Sequence, residues 1–147
     1  MEYSQVVQKI APCGLDCSRC ADYQTGEIKE LSIRLSKLLK GYERVAKIKS
    51  KINPAFEGYS KFEEVMKVFA EASCGGCRSD NEKCPIDCHA KICHKEKKVD
   101  FCFQCNEFPC EKQTDERIIE RWIKKNKRMK EIGVIEFYCE QSKLPRY

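Results

Sequence analysis

Hydrophobic and polar side chains recur along this chain with the period of an α-helix. From Glu27 onward, apolar residues return at three- and four-residue steps while charged residues fill the positions between them. Gly41 interrupts this pattern and Pro54 ends it, because neither residue favours the interior of a helix. This stretch therefore predicts one amphipathic helix that is broken or kinked at Gly41.

The same pattern predicts further helices toward the end of the chain. Ser60 and Glu63 have the spacing of a capping box, which places the start of the next helix at Ser60 and its end near Ala72. Gly133 follows a long periodic stretch and should terminate it. The remaining predicted helices cover residues 86–95, 114–132 and 134–141.

Twelve cysteines change this picture, because eight of them fall between Cys74 and Cys110. Two cysteines separated by two residues can bind one ion from a single turn, and four thiolates typically close a structural zinc site. The segment contains two such pairs, Cys74/Cys77 and Cys102/Cys105, at the spacing of a zinc ribbon or finger. We therefore interpret this segment as metal-binding.

A second cluster, near the start of the chain, contains Cys13, Cys17 and Cys20 in the spacing C-x3-C-x2-C. Three ligands on one short loop need a fourth from elsewhere, so this loop should dock against the later cysteine segment. Radical S-adenosylmethionine enzymes share the spacing, but they resemble barrels of strand and helix units for which this chain is too short. The predicted metal ligands are Cys13, Cys17, Cys20, Cys74, Cys77, Cys84, Cys88, Cys93, Cys102, Cys105 and Cys110.

A disulfide framework is the alternative use of an even number of cysteines. The sequence shows no export signal, no apolar run long enough for a membrane helix and no lipidation motif. We therefore expect a cytoplasmic protein without a membrane partner, where thiols stay unpaired unless metal binds them. The predicted fold is mainly α, a single small, irregular, metal-stabilised domain over residues 1–147 in which helices pack beside cysteine-rich loops.

The formal net charge of +5 suggests an anionic partner such as nucleic acid. Each four-thiolate zinc site carries a net charge of about −2, so two sites lower the total to about +1. Basic character then concentrates in the helix over 114–132, near whose end cations also stabilise the helix dipole. The predicted nucleic-acid contacts are Lys124, Lys125, Lys127, Arg128 and Lys130.

Other residues near the cysteines fit supporting roles. His89 and His94 lie among ample cysteines, which favours exposed or supporting positions over metal coordination. Cys139 stands alone in the last predicted helix, which favours a packed thiol over a ligand. Phenylalanines interleave with the last cysteines, and they fit an apolar cover for a metal site more simply than base stacking on nucleic acid.

The motifs together resemble a known family. The chain contains CGLDC followed by a third cysteine, then C-G-G-C-R, further cysteine pairs, E-F-P-C-E-K and a helix ending in I-G. In this order they are similar to the domain of unknown function 3795 family of small, cysteine-rich bacterial and archaeal proteins. The resemblance spans the chain from Cys13 to the LPRY tail. It implies a cysteine-ligated protein suspected to bind zinc, with no established activity and with ligands at all cysteines except Cys84 and Cys139.

These patterns predict a metal-binding protein with two or three structural zinc sites, whose first partners are metal ions. An iron–sulfur protein in electron transfer or redox sensing uses the same thiolates and is one alternative. A zinc-stabilised module that binds nucleic acid or another protein is the second alternative. The chain contains no hydrolase, phosphate-loop, zinc-protease or dinucleotide motif, so no catalytic activity is predicted.

Overall fold

The structure, a computed structural model, describes residues 1–147 and contains no β-sheet. This confirms the mainly α prediction. The seven α-helices are α1 (Tyr3–Lys9), α2 (Glu27–Leu38), α3 (Glu43–Ser50), α4 (Tyr59–Ala70), α5 (Ala90–Glu96), α6 (Glu116–Ile132) and α7 (Val134–Ser142). Two 3₁₀ turns cover Pro54–Gly58 and Cys102–Gln104. No helix has both the length and the apolar surface needed to cross a membrane.

The chain divides into two compact units. The cysteine unit comprises residues 1–20 and 74–147 and contains all twelve cysteines. The helical unit comprises residues 21–73 and contains none of them. The prediction that residues 1–147 form a single domain stays a prediction.

The helical unit is built on the packing of α2 against α4, with α3 beside the first 3₁₀ turn. Gly41, with φ of +82°, separates α2 from α3, so the predicted break is confirmed. Asn53 Oδ1 accepts a hydrogen bond from the Ala55 amide at 3.0 Å and caps the 3₁₀ turn, which runs directly into α4. α4 therefore begins at Tyr59, and the predicted capping box at Ser60 is wrong.

Few large side chains of the helical unit are buried. The periodicity predicts a buried face on α4, but Phe62 is 40% exposed and Val65 is 51% exposed. The residues that are buried at the centre of this unit are mainly small: Ser32, Ala46 and Ala72, together with Tyr59. The period of the pattern thus gave the helix but not the extent to which its apolar face is covered.

One core of the cysteine unit joins the start of the chain to its end. Val6 and Ile10 pack with Phe101, Met129 and Phe137 in a cluster where every member is almost fully buried. α1 supplies Val6, yet the sequence predicts no helix there. Seven residues span only two helical turns, too few for a clear hydrophobic period.

A second core surrounds Trp122 of α6 and contains the buried thiols of Cys13 and Cys88. The Asp115 side chain accepts a hydrogen bond from the Arg117 amide at 3.0 Å and caps α6, which starts two residues later than the predicted Thr114. The predicted helix over 86–95 is shorter and later in the structure, where α5 covers Ala90–Glu96. Most of the cysteines thus lie outside the α-helices, while Cys93 lies on α5 and Cys139 on α7.

Candidate metal centre

The loop that carries Cys13 and Cys17 needs glycine between them. Gly14 has φ of +88°, a conformation that side chains with a Cβ rarely adopt. A Cβ at this position would also lie 2.8 Å from the Cβ of Lys125. Gly14 therefore lets the loop turn tightly and pack directly against α6.

Charged side chains hold the same loop against the C-terminal tail. The buried Asp16 carboxylate accepts hydrogen bonds from Ser18 Oγ at 2.6 Å and from Arg19 Nε at 2.7 Å. The Arg19 guanidinium also donates to the carbonyl oxygens of Gln141 at 2.6 Å and Leu144 at 2.8 Å. One buried carboxylate and one arginine thus fix the first cysteine loop.

The turn after Cys74 directs backbone amides at sulfur. The Gly76 amide donates to Cys74 Sγ at 3.4 Å, and the Lys83 amide donates to the same atom at 3.3 Å. Gly76 has φ of +86°, which lets its amide turn inward as the sequence predicts for this glycine pair. Two backbone N–H groups thus donate to one buried sulfur, an arrangement that is common at metal-bound cysteines.

Two pairs of thiols join cysteines that are distant in the sequence. The Cys13 thiol contacts the Cys88 thiol, and the Cys17 thiol contacts the Cys77 thiol. Cys77 also lies within electrostatic range of Cys13 and Cys84. We call Cys13, Cys17, Cys77, Cys84 and Cys88 the first thiol group. The predicted docking of the first cysteine loop against the later segment is therefore confirmed.

Within each pair one thiol is acidic and the other keeps its proton. Contact with Cys13 lowers the pKa of Cys88 to about 6, and contact with Cys77 lowers the pKa of Cys17 to about 7. The same contacts, followed by burial, raise the pKa of Cys13 and that of Cys77 well above the ordinary thiol value. Each pair behaves as two thiols that share one proton.

Cations and polar groups support the first thiol group. The Lys91 ammonium forms an ion pair with Glu82 at 2.7 Å and donates to the Cys84 carbonyl at 2.9 Å. Its charge lowers the pKa of the Cys88 thiol, after the larger effects of Cys13 and other hydrogen bonds. The buried Gln113 amide donates to Cys88 Sγ at 3.2 Å. No motif in the sequence predicts a role for Lys91 or Gln113 beside the thiols.

The other cysteines of the later segment lie together around the second 3₁₀ turn. Burial, followed by the charges of Cys88, Cys93 and Cys110, raises the pKa of Cys102 to about 11. Cys93 lies within electrostatic range of Cys110 and Cys105. We call Cys93, Cys102, Cys105 and Cys110 the second thiol group.

His89 lies beside the second thiol group. Its Nε2 atom is 3.4 Å from Cys110 Sγ, and its ring meets Trp122 edge to face with the ring centroids 6.1 Å apart. Burial lowers the pKa of His89, which favours the neutral imidazole. The sequence favours an exposed or supporting position for His89 over metal coordination. A neutral ring in contact with one thiol agrees with the supporting position.

Arg78 braces the loops around both groups, and the sequence did not single it out. Its guanidinium donates to the carbonyl oxygens of Val7 at 2.7 Å, Ile10 at 3.2 Å and Asp100 at 2.5 Å. It also lies over the Phe101 ring, 5.2 Å from the centroid. One partly buried side chain therefore connects α1, the turn after Cys74 and the segment that leads into the second 3₁₀ turn.

No three or more cysteine, histidine, aspartate or glutamate side chains form a group that could hold a metal ion in this structure. None of the twelve cysteines forms a disulfide. Cys20 Sγ accepts a hydrogen bond from the Tyr147 hydroxyl at 3.7 Å, and Cys139 lies on α7. The assignment of the eleven cysteines as metal ligands therefore stays a prediction.

The predicted nucleic-acid residues of α6 differ in their surroundings. Arg128 pairs with Glu131 at 2.9 Å and also with Glu140, and the Lys125 ammonium donates to the side chain of Gln141. Lys124, Lys127 and Lys130 are exposed. Their role as nucleic-acid contacts stays a prediction.

Comparison of the sequence with known families gives one match. The family described as "Protein of unknown function (DUF3795)" matches residues 9–115. The chain belongs to this family. Comparisons with curated proteins and with solved structures found no match.

The DUF3795 match includes the first cysteine loop, the helical unit and the whole segment from Cys74 to Cys110. It therefore contains every predicted ligand, and of the twelve cysteines only Cys139 lies outside it. The match ends before α6, so it is shorter than the resemblance inferred from the motifs, which reached the LPRY tail. Both thiol groups belong to the shared part of the family.

Proposed function

We propose that this DUF3795 protein is a metal-binding protein whose cysteine unit is stabilised by zinc ions bound to thiolates. The observation that supports the proposal most directly is the contact of Cys13 with Cys88 and of Cys17 with Cys77. Four thiols from two distant segments, two of them buried and two partly buried, offer the soft donor set that zinc prefers. Binding free energy at such a site is folding free energy.

A structural zinc site has four ligands, and each thiol group contains enough cysteines to supply four sulfurs. In the first group the ligands would be Cys13, Cys17, Cys77 and Cys88. In the second they would be Cys93, Cys102, Cys105 and Cys110. Cys20, Cys74 and Cys84 stay predicted ligands for these or a third site.

The surroundings of the sulfurs fit bound thiolates. Metal-bound sulfur carries negative charge and accepts hydrogen bonds from neighbouring groups. The amide donors at Cys74, the Gln113 amide at Cys88 and the Lys91 ammonium near Cys88 supply such partners. A closed four-thiolate site leaves no open position for substrate, so the proposed role is structural and no catalysis is assigned. The proposal places the protein in the cytoplasm, where thiols stay reduced.

Elemental analysis of protein purified without oxygen tests the proposal. We expect about two zinc ions per chain, and fewer after the paired change Cys13→Ser and Cys88→Ser. Cys139→Ser is the matched control, because Cys139 lies on α7 outside both thiol groups and should leave the zinc content unchanged.

The same preparation separates the alternatives. Iron and sulfide together with absorption near about 400 nm would replace zinc with an iron–sulfur cluster, for electron transfer or redox sensing. A folded chain that contains no metal and has twelve titratable thiols would contradict both. Loss of zinc in Cys139→Ser would contradict the assignment of the two groups.

A further inference from the structure

A cleft of about 830 Å³ lies in the cysteine unit between α6 and α7. This volume is typical of sites for small molecules. Phe137 and Leu144 contribute apolar surface to its lining, and the remaining lining side chains are polar or charged. All residues that line it come after residue 115, where the family match ends. The cleft is therefore separate from the motifs that define the family.

Basic side chains recur along the part of α6 that lines this cleft, at Arg117, Arg121, Lys124, Lys125, Lys127 and Arg128. Steps of three and four residues keep most of them on one side of the helix. The charges at the two ends are balanced, because Arg117 pairs with Asp115 at 2.5 Å and Arg128 pairs with Glu140. The residues in the middle form no ion pair, so positive charge concentrates there.

Lys125 shows the imbalance most clearly. Its side chain is partly buried, and its ammonium has only neutral partners, the Gln141 side-chain oxygen and the Phe137 ring with a centroid 5.5 Å away. Burial lowers the pKa of Lys125, and the charges of Arg121 and Arg146 lower it further, while the charge of Cys13 raises it by a smaller amount. A partly desolvated cation among other cations is costly unless an anion joins it.

We propose that the middle of this cleft binds a small phosphorylated molecule, with Arg121, Lys124 and Lys125 supplying positive charge to the phosphoryl group. A phosphoryl group carries up to two negative charges and several acceptor oxygens, which matches several cations better than a single carboxylate does. The exposed apolar side chain of Leu144 suits the carbon skeleton of the same molecule.

The acidic residues of the cleft favour a small ligand over a nucleic acid. Glu120 and Glu116 line the same cleft, about one and two helical turns before Lys124. An extended chain of phosphates along α6 would meet these carboxylates and be repelled. A single phosphoryl group beside Lys125 avoids them.

Titration of the full, metal-loaded chain with phenyl phosphate and with inorganic phosphate at low salt tests this proposal. We expect binding of phenyl phosphate, with shifts in the amide resonances of Lys125 and Gln141. Arg121→Gln should weaken binding about tenfold or more, since a charged hydrogen bond is lost. Arg121 forms no hydrogen bond or ion pair in the chain, so this variant should keep the fold. Lys130→Gln, exposed on the same helix outside the cleft, is the matched control.

Three results would overturn the proposal. The first is the absence of binding by either phosphate compound at low salt. The second is equal weakening by Arg121→Gln and Lys130→Gln, which would indicate diffuse attraction by the whole helix. The third is tighter binding of a single-stranded oligonucleotide that depends on Lys130, outside the cleft, which would assign the basic residues of α6 to nucleic acid.

Discussion

Proton sharing inside the two thiol pairs determines how the cysteine unit should respond to pH. The pKa of Cys88 is lowered to about 6 and that of Cys17 to about 7, while the pKa values of their partners are raised. Near neutral pH each pair therefore keeps about one proton, which a metal ion has to displace. Below the lowered pKa values each pair holds two.

We expect zinc affinity to fall as the pH decreases, and to fall more steeply below about pH 6 than above about pH 7. The reason is that Cys17 and Cys88 also become protonated in that range, so each pair must release a second proton on binding. Competition with a chromophoric chelator between about pH 5 and pH 8 measures this. Cys139→Ser should follow the same curve, and affinity independent of pH would contradict the proposed ligands.

Replacement of Arg78 tests the brace around the cysteine loops. Arg78→Lys keeps the charge but cannot donate to the three carbonyl oxygens of Val7, Ile10 and Asp100 at once. Leaving partly buried carbonyls without donors should lower the free energy of unfolding by about 2–4 kcal/mol. Urea denaturation measures the change. Arg34→Lys, at an exposed position of α2, should change it by less than about 0.5 kcal/mol, and similar values for both variants would contradict the role of Arg78.

At the scale of elements, long amphipathic stretches were predictable and short or capped ones were not. α6 and α7 lie within two residues of their predicted bounds, because several turns of period and Gly133 define them. α1 has too few turns to show a period. α4 also lies within two residues of its predicted bounds, but its predicted cap was wrong, because the cap at Asn53 serves a 3₁₀ turn that continues into the helix. Such a continuation depends on backbone geometry that residue types do not specify.

Gly133 separates α6 from α7 in a conformation with φ of +85° and ψ of 156°, which is nearly exclusive to glycine. No atom lies within 4 Å of the position that a Cβ would take, so Gly133→Ala has only a conformational cost. We expect the free energy of unfolding to fall by about 1–3 kcal/mol, measured by urea denaturation.

Gly58→Ala is the matched control, because Gly58 also has open space around it but has φ of −81°. Alanine adopts that conformation without strain, so this variant should be neutral or slightly more stable. Equal destabilisation by both changes would show that the backbone at Gly133 is not the cause.

For the whole molecule, the sequence predicts a set of cysteine metal ligands but does not predict which of these cysteines meet. Spacing alone identifies C-x-x-C pairs, whereas the contacts of Cys13 with Cys88 and of Cys17 with Cys77 depend on how the intervening chain returns. Lys91 and Gln113 act on these thiols as single polar residues without a motif. Their positions follow only from tertiary packing.

Removal of metal should therefore affect the two units differently. All cysteines lie in the cysteine unit, while the packing of α2 on α4 in residues 21–73 involves no thiol. After treatment with a chelator we expect amide hydrogens in 74–110 to lose protection against exchange, because the zinc sites supply folding free energy there. Amides of α2 and α4 should keep theirs. Mass spectrometry of exchanged peptides measures both regions, and re-addition of zinc should restore the first. Equal loss in both regions would mean that the helical unit has no stability of its own, and no loss in 74–110 would mean that metal does not stabilise the cysteine loops.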